Sequence, residues 1–192
     1  MTPGPWAPEA VPSPARKLVD VLFSLGATHV VTIPDNTSAP LLDAVKAHEE
    51  LELVLGTREG EVVALASGLW LGGARPLVLI QNTGLLESGD GLRGTASRMG
   101  APILLLVTCR GFSRSRQAGR EPGAGEMTRD LLVRPDLDSV AGMTHSTLRA
   151  WGIPFHTLQD PLDLTPIREG WTMAQEEERP VAVLLDASFH DI

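Results

Sequence analysis

The polar side chains that could bind a ligand are gathered in four short segments, and each segment follows an apolar run typical of a buried strand. The segments are residues 34–38, 56–60, 82–91 and the stretch after Thr108. Because ligands of open α/β sheets bind at the carboxyl ends of the strands, these segments are the candidates for a functional site.

The last of these segments carries arginines. Arg110, Arg114, Arg116 and Arg120 lie within residues 109–125, a stretch with no regular hydrophobic pattern. Guanidinium groups bind carboxylate, sulfonate and phosphonate well, so a mobile loop of this kind could close over a dianionic substrate. The alternative is an ordinary solvated loop. Cys109, beside Arg110, is the one cysteine and excludes a disulfide framework or a multi-cysteine metal site.

The elements that position these segments alternate between strand and helix. Strands are predicted at residues 29–33, 51–55, 76–81, 102–108, 153–158 and 181–185. Helices are predicted at residues 15–25, after Thr37 or Ser38, and at 59–71, 91–99, 140–151 and 161–178. Such alternation predicts βαβ units. We expect a three-layer α/β fold, with a mostly parallel sheet of about six strands and helices on both faces.

Length and composition limit the class of protein. The chain has 192 residues, 43% of them hydrophobic, and a formal net charge of −8, which suits one globular domain and argues against nucleic-acid binding as its main role. Residues 1–14 are proline-rich and predict a flexible tail, which leaves residues 15–192 as the domain. The apolar runs are too short to span a bilayer and the N-terminus lacks the pattern of a secretory signal, so a cytoplasmic location is expected.

Two segments carry a resemblance to a known family. Residues 58–68 (REGEVVALASG) and 76–85 (PLVLIQNTGL) resemble the pyrimidine-binding (PYR) domain of thiamine diphosphate-dependent decarboxylases. The likeness is to sulfopyruvate decarboxylase α subunits and to the N-terminal half of phosphonopyruvate decarboxylases. Further segments agree in order: residues 33–43, the pair Arg110–Gly111 and residues 145–158.

The resemblance gives Glu59 a role in the cofactor site. It implies that this carboxyl donates a hydrogen bond to N1′ of the cofactor's aminopyrimidine, which requires a carboxyl that keeps its proton in an apolar setting. Val62 and Val63 on the next turn could supply part of that setting. The alternative is a first-turn residue that is favoured by the helix dipole. Glu61 is a rival, but the family's glycine follows the functional acid directly, which favours Glu59.

The resemblance also assigns the other strand-end residues. It implies that Asn82 and Thr83 bind the cofactor, and that substrate is bound by Asp35, Asn36, Gln81 and Arg110. For Asp35 and Asn36 an Asx turn that caps the next helix is an equal alternative. The chain departs from the family at Leu86 and Glu87, where glycine and asparagine are common; an acid there would repel a nearby anion.

A glycine motif at residues 89–94 (GDGLRG) is not expected to bind a nucleotide or a metal. It matches GxGxxG, but its first glycine does not stand in the turn directly after a strand. The GDG could be compared with the metal-diphosphate motif of thiamine diphosphate enzymes, but that motif needs a pair of asparagines about 25 residues on. The sequence has no asparagine after Asn82. A flexible helix start explains it better.

The resemblance covers only the pyrimidine-binding half of such an enzyme. It implies a β subunit with the diphosphate-binding (PP) domain, which would hold Mg²⁺, so that no metal site is expected on this chain. The expected reaction of the hetero-oligomer is non-oxidative decarboxylation of a 2-oxo acid, with sulfopyruvate or phosphonopyruvate as substrate. The alternatives are an acetolactate synthase-like carboligase subunit and a non-catalytic α/β binding or regulatory subunit.

Overall fold

A computed structural model describes residues 13–189 of the chain. In this part of the chain six strands form one sheet, with the spatial order β2-β1-β3-β4-β6-β5 and every neighbouring pair parallel. The strands are β1 (His29–Thr32), β2 (Glu52–Leu55), β3 (Pro76–Gln81), β4 (Leu104–Thr108), β5 (Phe155–Leu158) and β6 (Val181–Leu185). The predicted α/β class and parallel sheet are confirmed.

Helices connect the strands and cover both faces of the sheet. They are α1 (Pro14–Ser24), α2 (Ala39–Lys46), α3 (Glu59–Leu71), α4 (Asn82–Glu87), α5 (Ser97–Met99), α6 (Phe112–Gln117), α7 (Arg129–Leu132), α8 (Ser139–Ala150) and α9 (Thr165–Glu177). A π-helical segment, Gly91–Ala96, precedes α5. No helix among residues 13–189 is long and apolar enough to cross a membrane.

The sheet is buried on both faces because its strands are apolar at successive positions. On β3, Leu77 and Leu79 pack into the core beneath α1, α2 and α9. The alternate residues Val78 and Ile80 pack on the opposite side, with α3 and α8. Successive side chains of a strand point to opposite faces, so a strand covered on both sides reads as a continuous apolar run.

The path of the chain opens a crevice between two loops. From β1 the chain crosses through α2 to the edge strand β2, and then returns through α3 to β3 on the other side of β1. The helix after β1, α2, packs on one face of the sheet, and the helix after β3, α4, packs on the other, so the loops after β1 and β3 diverge. Ligands of open α/β sheets bind at such a switch point.

Three expectations from the sequence need correction or comment. Residues 82–87 form α4, which begins directly after β3 and is not among the predicted helices. The stretch 109–125 is not wholly irregular, because it contains α6. The predicted tail, residues 1–14, lies mostly outside the described residues; within them, α1 begins at Pro14, with Ser13 as its N-cap.

Candidate functional site

A hydrogen-bonded network of side chains joins the loops at the carboxyl ends of β1, β3 and β4. The Gln81 amide Nε2 donates to the Thr37 hydroxyl at 2.7 Å, and the Thr83 hydroxyl donates to Gln81 Oε1 at 2.6 Å. Thr37 in turn donates to a carboxylate oxygen of Asp35, and the Thr108 hydroxyl lies 3.4 Å from Thr37 Oγ1. We call these five residues the strand-end network.

Asp35 uses its carboxylate to build the turn before α2. Its Oδ1 accepts the backbone N–H groups of Thr37 at 2.7 Å and Ser38 at 3.1 Å, and its Oδ2 accepts the Ser38 hydroxyl at 2.8 Å. This is the Asx turn that the sequence left open as an alternative. Asn36, at the tip of the turn, is exposed.

Asn82 is turned into the protein interior at the start of α4. It is fully buried, and its Nδ2 donates to the carbonyl of Arg110 at 2.9 Å and to the hydroxyl of Thr144 at 3.3 Å. These contacts tie the end of β3 to the loop after β4 and to α8. The amide oxygen Oδ1 is buried and has no hydrogen-bond partner among residues 13–189. Thr83, the next residue, is exposed.

Glu59 is the first residue of α3, and its carboxyl lies against α4. A Cβ atom on Gly84 would stand 2.3 Å from Glu59 Cγ and 2.7 Å from Oε1, so this close approach requires a glycine. Glu59 is half-buried, and Val62 and Val63 on the following turn are fully buried. No group in the described part of the chain donates a hydrogen bond to its carboxylate.

Two neighbouring carboxylates differ from Glu59 because both are engaged. Glu61 accepts the hydroxyl of Thr57 at 2.7 Å and its backbone N–H at 2.8 Å, and these bonds hold the pKa of Glu61 below its ordinary value. Glu87 accepts Arg58 Nη2 at 2.7 Å and the backbone N–H of Gly60. The Arg58 contact, followed by the Gly60 N–H, lowers the pKa of Glu87. Both groups are therefore ionised at neutral pH.

The arginines of the segment 109–125 all have partners within the chain. Arg110 is 60% exposed and lies 3.2 Å from an Asp138 carboxylate oxygen. The others donate to groups in or near the segment. Arg114 donates to the Pro135 carbonyl, Arg116 to Asp186 and Glu121, and Arg120 to the carbonyls of Ala124 and Glu126. The hydrogen bond to Asp186 raises the pKa of Arg116 further above its ordinary value.

The Arg116–Asp186 pair borders a cavity of about 330 Å³ at the ends of β4 and β6. Thr37 and Thr108 line the same cavity, which therefore adjoins the strand-end network. Cys109 also lines it, and burial, together with the negative charge of Asp186, raises the pKa of this thiol well above its ordinary value. Thiolate chemistry at neutral pH is correspondingly disfavoured.

The glycines of the GDGLRG segment allow close packing. A Cβ atom on Gly89 would lie 2.7 Å from the ring of Trp151. One on Gly91 would lie 3.0 Å from the carbonyl oxygen of Gly60. These glycines let residues 89–94 pack against Trp151, at the end of α8, and against the first turn of α3. The segment therefore has a packing role beside Glu59.

Four residues of this site, Thr37, Gly84, Glu87 and Thr108, are not among the site residues predicted from the sequence. Gly84 and Glu87 are three residues apart, a spacing that places both on one face of a helix. That signal depends on α4, which the sequence does not predict. Thr37 is predicted only as a possible helix cap, because the partners that define its role come from β3 and β4.

Comparison with known families decides the fold family. Residues 14–129 match the family described as thiamine pyrophosphate enzyme, N-terminal TPP binding domain. The chain belongs to this family. Among solved structures it is similar to benzoylformate decarboxylase from Polynucleobacter necessarius, with a TM-score of 0.65 and 20% identity over 93% of this chain and 30% of that one. At this identity the likeness concerns the fold.

Two relatives show how much of a whole decarboxylase chain this protein corresponds to. A phosphonopyruvate decarboxylase of Streptomyces viridochromogenes is 31% identical over 124 residues, which are 65% of this chain and 31% of that enzyme. A sulfopyruvate decarboxylase subunit alpha of Methanococcus maripaludis is 25% identical over 173 residues, which are 88% of this chain and 93% of that subunit. This TPP-binding domain thus spans about a third of the first relative and nearly all of the second.

Proposed function

We propose that this chain is the pyrimidine-binding α subunit of a two-subunit, thiamine diphosphate-dependent 2-oxo acid decarboxylase. The observation that carries the proposal is the state of Glu59. Of the three carboxyls at the start of α3, Glu61 and Glu87 are engaged by donors, whereas that of Glu59 accepts no hydrogen bond among residues 13–189. A free, half-buried carboxyl at a helix start suits proton exchange with a bound heterocycle.

The residues present fit the cofactor. When bound, thiamine diphosphate supplies a carbon nucleophile for the 2-oxo carbon and accepts the electron pair that carbon dioxide leaves behind. In the proposal, Glu59 holds a proton on a carboxyl oxygen and shares it with N1′ of the aminopyrimidine. Gly84 leaves room beside the Glu59 carboxyl. The exposed Thr83 precedes Gly84 on α4.

Substrate is proposed to bind at the strand-end network. Gln81 and Thr83 present amide and hydroxyl groups at the end of β3, while Asp35 and Asn36 form the turn after β1.

Sulfopyruvate and phosphonopyruvate are the proposed substrates, since the relatives named above are decarboxylases of these acids. Each would take up one proton and yield carbon dioxide and the corresponding aldehyde. Arg110, which is 60% exposed, is proposed to bind the anionic group of the substrate, and its backbone carbonyl accepts a hydrogen bond from Asn82.

A partner chain completes the proposal. The match to 93% of an α subunit, against 31% of a phosphonopyruvate decarboxylase, supports an arrangement in which a separate β subunit supplies the diphosphate-binding domain. We place the Mg²⁺ and the diphosphate site on that partner.

The test is to isolate the full chain from its own cells with thiamine diphosphate and Mg²⁺, and to weigh the complex by native mass spectrometry. A second chain with retained cofactor is expected. Glu59→Gln in that complex should lower turnover by about a hundredfold or more, in the range lost with an acid–base group. Glu61→Gln is the matched control and should stay within about twofold.

Other outcomes point to the other candidates. A Glu59→Gln complex with full activity, or a homo-oligomer without cofactor, would overturn the proposal and leave a non-catalytic binding subunit. Formation of a coupled product from two 2-oxo acids, in place of free aldehyde, would indicate a carboligase.

A further inference from the structure

The further inference concerns Glu87, the last residue of α4, which reaches across to the start of α3. One carboxylate oxygen accepts Arg58 Nη2 at 2.7 Å, and the other accepts the backbone N–H of Gly60. Arg58 and Gly60 are the two neighbours of Glu59 in the chain. Glu87 therefore bonds to the side chain of the residue before the proposed proton-sharing residue and to the backbone of the residue after it.

The contact replaces a missing helix cap. The first backbone N–H groups of a helix have no partner inside it, and the N-cap residue of α3, Arg58, makes no capping hydrogen bond with its side chain. Glu87 supplies the acceptor from another helix. Its negative charge also interacts favourably with the positive end of the α3 dipole.

The same helix touches Glu59 directly. Gly84 of α4 lies against the Glu59 carboxyl, and Glu87 follows it at the i,i+3 spacing that puts two residues on one helix face. α4 thus determines the place of Glu59 at two points, one at its side chain and one at its flanking backbone. A shift of α4 relative to α3 would move the carboxyl.

We propose that Glu87 is a positioning residue, which fixes the first turn of α3 so that the Glu59 carboxyl meets the aminopyrimidine of the cofactor. The proposal rests on the function proposed above for Glu59. The family commonly has no acid at the position of Glu87, where a negative charge would repel an anionic substrate. The ion pair with Arg58 offsets that charge, so Glu87 is compatible with such a substrate.

The experiment uses Glu87→Ala and Glu87→Gln in the full chain. The first readout needs no activity: the amide resonance of Gly60 in the ¹H–¹⁵N spectrum. Loss of a charge-assisted bond should move this resonance upfield and accelerate its hydrogen exchange in Glu87→Ala. Glu87→Gln keeps one acceptor and should show a smaller change. In Glu61→Gln, which removes a carboxylate from the same helix end but keeps the bond from Gly60 to Glu87, the Gly60 amide should keep its slow hydrogen exchange and shift less than in Glu87→Ala.

The second readout is the isolated complex. Glu87→Ala should lower turnover at saturating cofactor by about tenfold or more, since small misplacements of a catalytic group are costly. Glu87→Gln should recover part of that loss. Added to Glu59→Gln, Glu87→Ala should cause little further loss, because a residue that acts only through Glu59 has nothing left to position.

Each result separates this proposal from the one it rests on. If Glu59→Gln abolishes turnover while Glu87→Ala stays within about twofold, only the positioning role is wrong. Additive losses in the double variant would likewise overturn it and indicate a general effect on the fold. If Glu59→Gln retains full turnover, the proposed function has failed, whatever the Gly60 amide shows.

Discussion

Two charged regions lie at the same edge of the sheet and differ in what they leave free. At the start of α3, the carboxylates of Glu61 and Glu87 are engaged and that of Glu59 is not. In the segment 109–125 the guanidinium groups all have partners, in ion pairs with Asp138, Asp186 and Glu121 or in hydrogen bonds to backbone carbonyls.

The comparison shows that local pairing decides which charge a ligand can use. The arginine segment attracts attention in the sequence because four cations are concentrated there, but three of them are held by other groups of the chain. Arg110 remains 60% exposed beside Asp138. The glutamate region has no such concentration of one charge in the sequence. It offers a free carboxyl because Glu61 and Glu87 accept the donors of Thr57, Arg58 and Gly60.

Among the variants that compare the two regions, the largest effect is expected from Gly84→Ala, which tests whether Glu59 depends on open space beside α4. The added methyl group would lie 2.3 Å from Glu59 Cγ, and the flexible side chain can turn away from it. We expect turnover of the complex to fall by about a hundredfold, because the carboxyl is displaced, while the melting temperature changes by only a few degrees.

The matched control is Gly68→Ala on α3, where an added Cβ meets nothing within 4 Å. Removing a glycine from a helix interior should stabilise the chain by up to about 1 kcal/mol, with turnover unchanged. Full activity of Gly84→Ala would contradict the idea that the position of the Glu59 carboxyl matters.

The next largest effect is expected in the other region, from Arg116→Met. This change leaves the Asp186 carboxylate, which is 8% exposed, without its cation. We expect a loss of about 2 kcal/mol in the free energy of unfolding, measured in urea. That is less than a fully buried pair would lose, since Arg116 is 34% exposed.

Arg114→Met serves as the control in the same helix. Arg114 is exposed and donates to a backbone carbonyl, so its loss should change the unfolding free energy by no more than about 0.5 kcal/mol. Equal losses in the two variants would show that the pairing with Asp186 is not what distinguishes Arg116.

The smallest functional effect is expected at Cys109, between Arg116 and the strand-end network. Burial raises the pKa of its thiol, so little thiolate is present at neutral pH. Alkylation by iodoacetamide at pH 8 should be at least about tenfold slower in the folded chain than in urea, and Cys109→Ala should leave turnover within about twofold. Rapid alkylation of the folded chain would mean that the cavity beside Arg116 opens freely.

The sheet was predictable because each of its strands carries its own signal. The runs PLVLIQ and PILLLVT are apolar at nearly every position, which is typical of a strand covered on both faces. α3 begins and ends at the predicted residues, Glu59 and Leu71. The predicted end of β3 at Gln81 is also confirmed.

The details of the site could not be predicted because they depend on contacts between distant parts of the chain. α4 follows β3 without a loop and is six residues long. It is too short to show the hydrophobic period of a helix in the sequence. The partners of Glu87 lie 27 and 29 residues away, and those of Arg116 include Asp186, 70 residues away. Charge and spacing within one segment do not reveal such pairs.

The bonds of the Thr37 hydroxyl limit how the residues of this site can be replaced one at a time. It donates to Asp35 and is approached by donors from Gln81 and Thr108, which uses the full bonding capacity of one hydroxyl. A substitution at any of these positions removes a bond that helps to orient the other side chains. A change of substrate preference would therefore have to pass through paired replacements, and a library that varies residues 35, 37 and 81 together should yield new specificities that single substitutions do not reach.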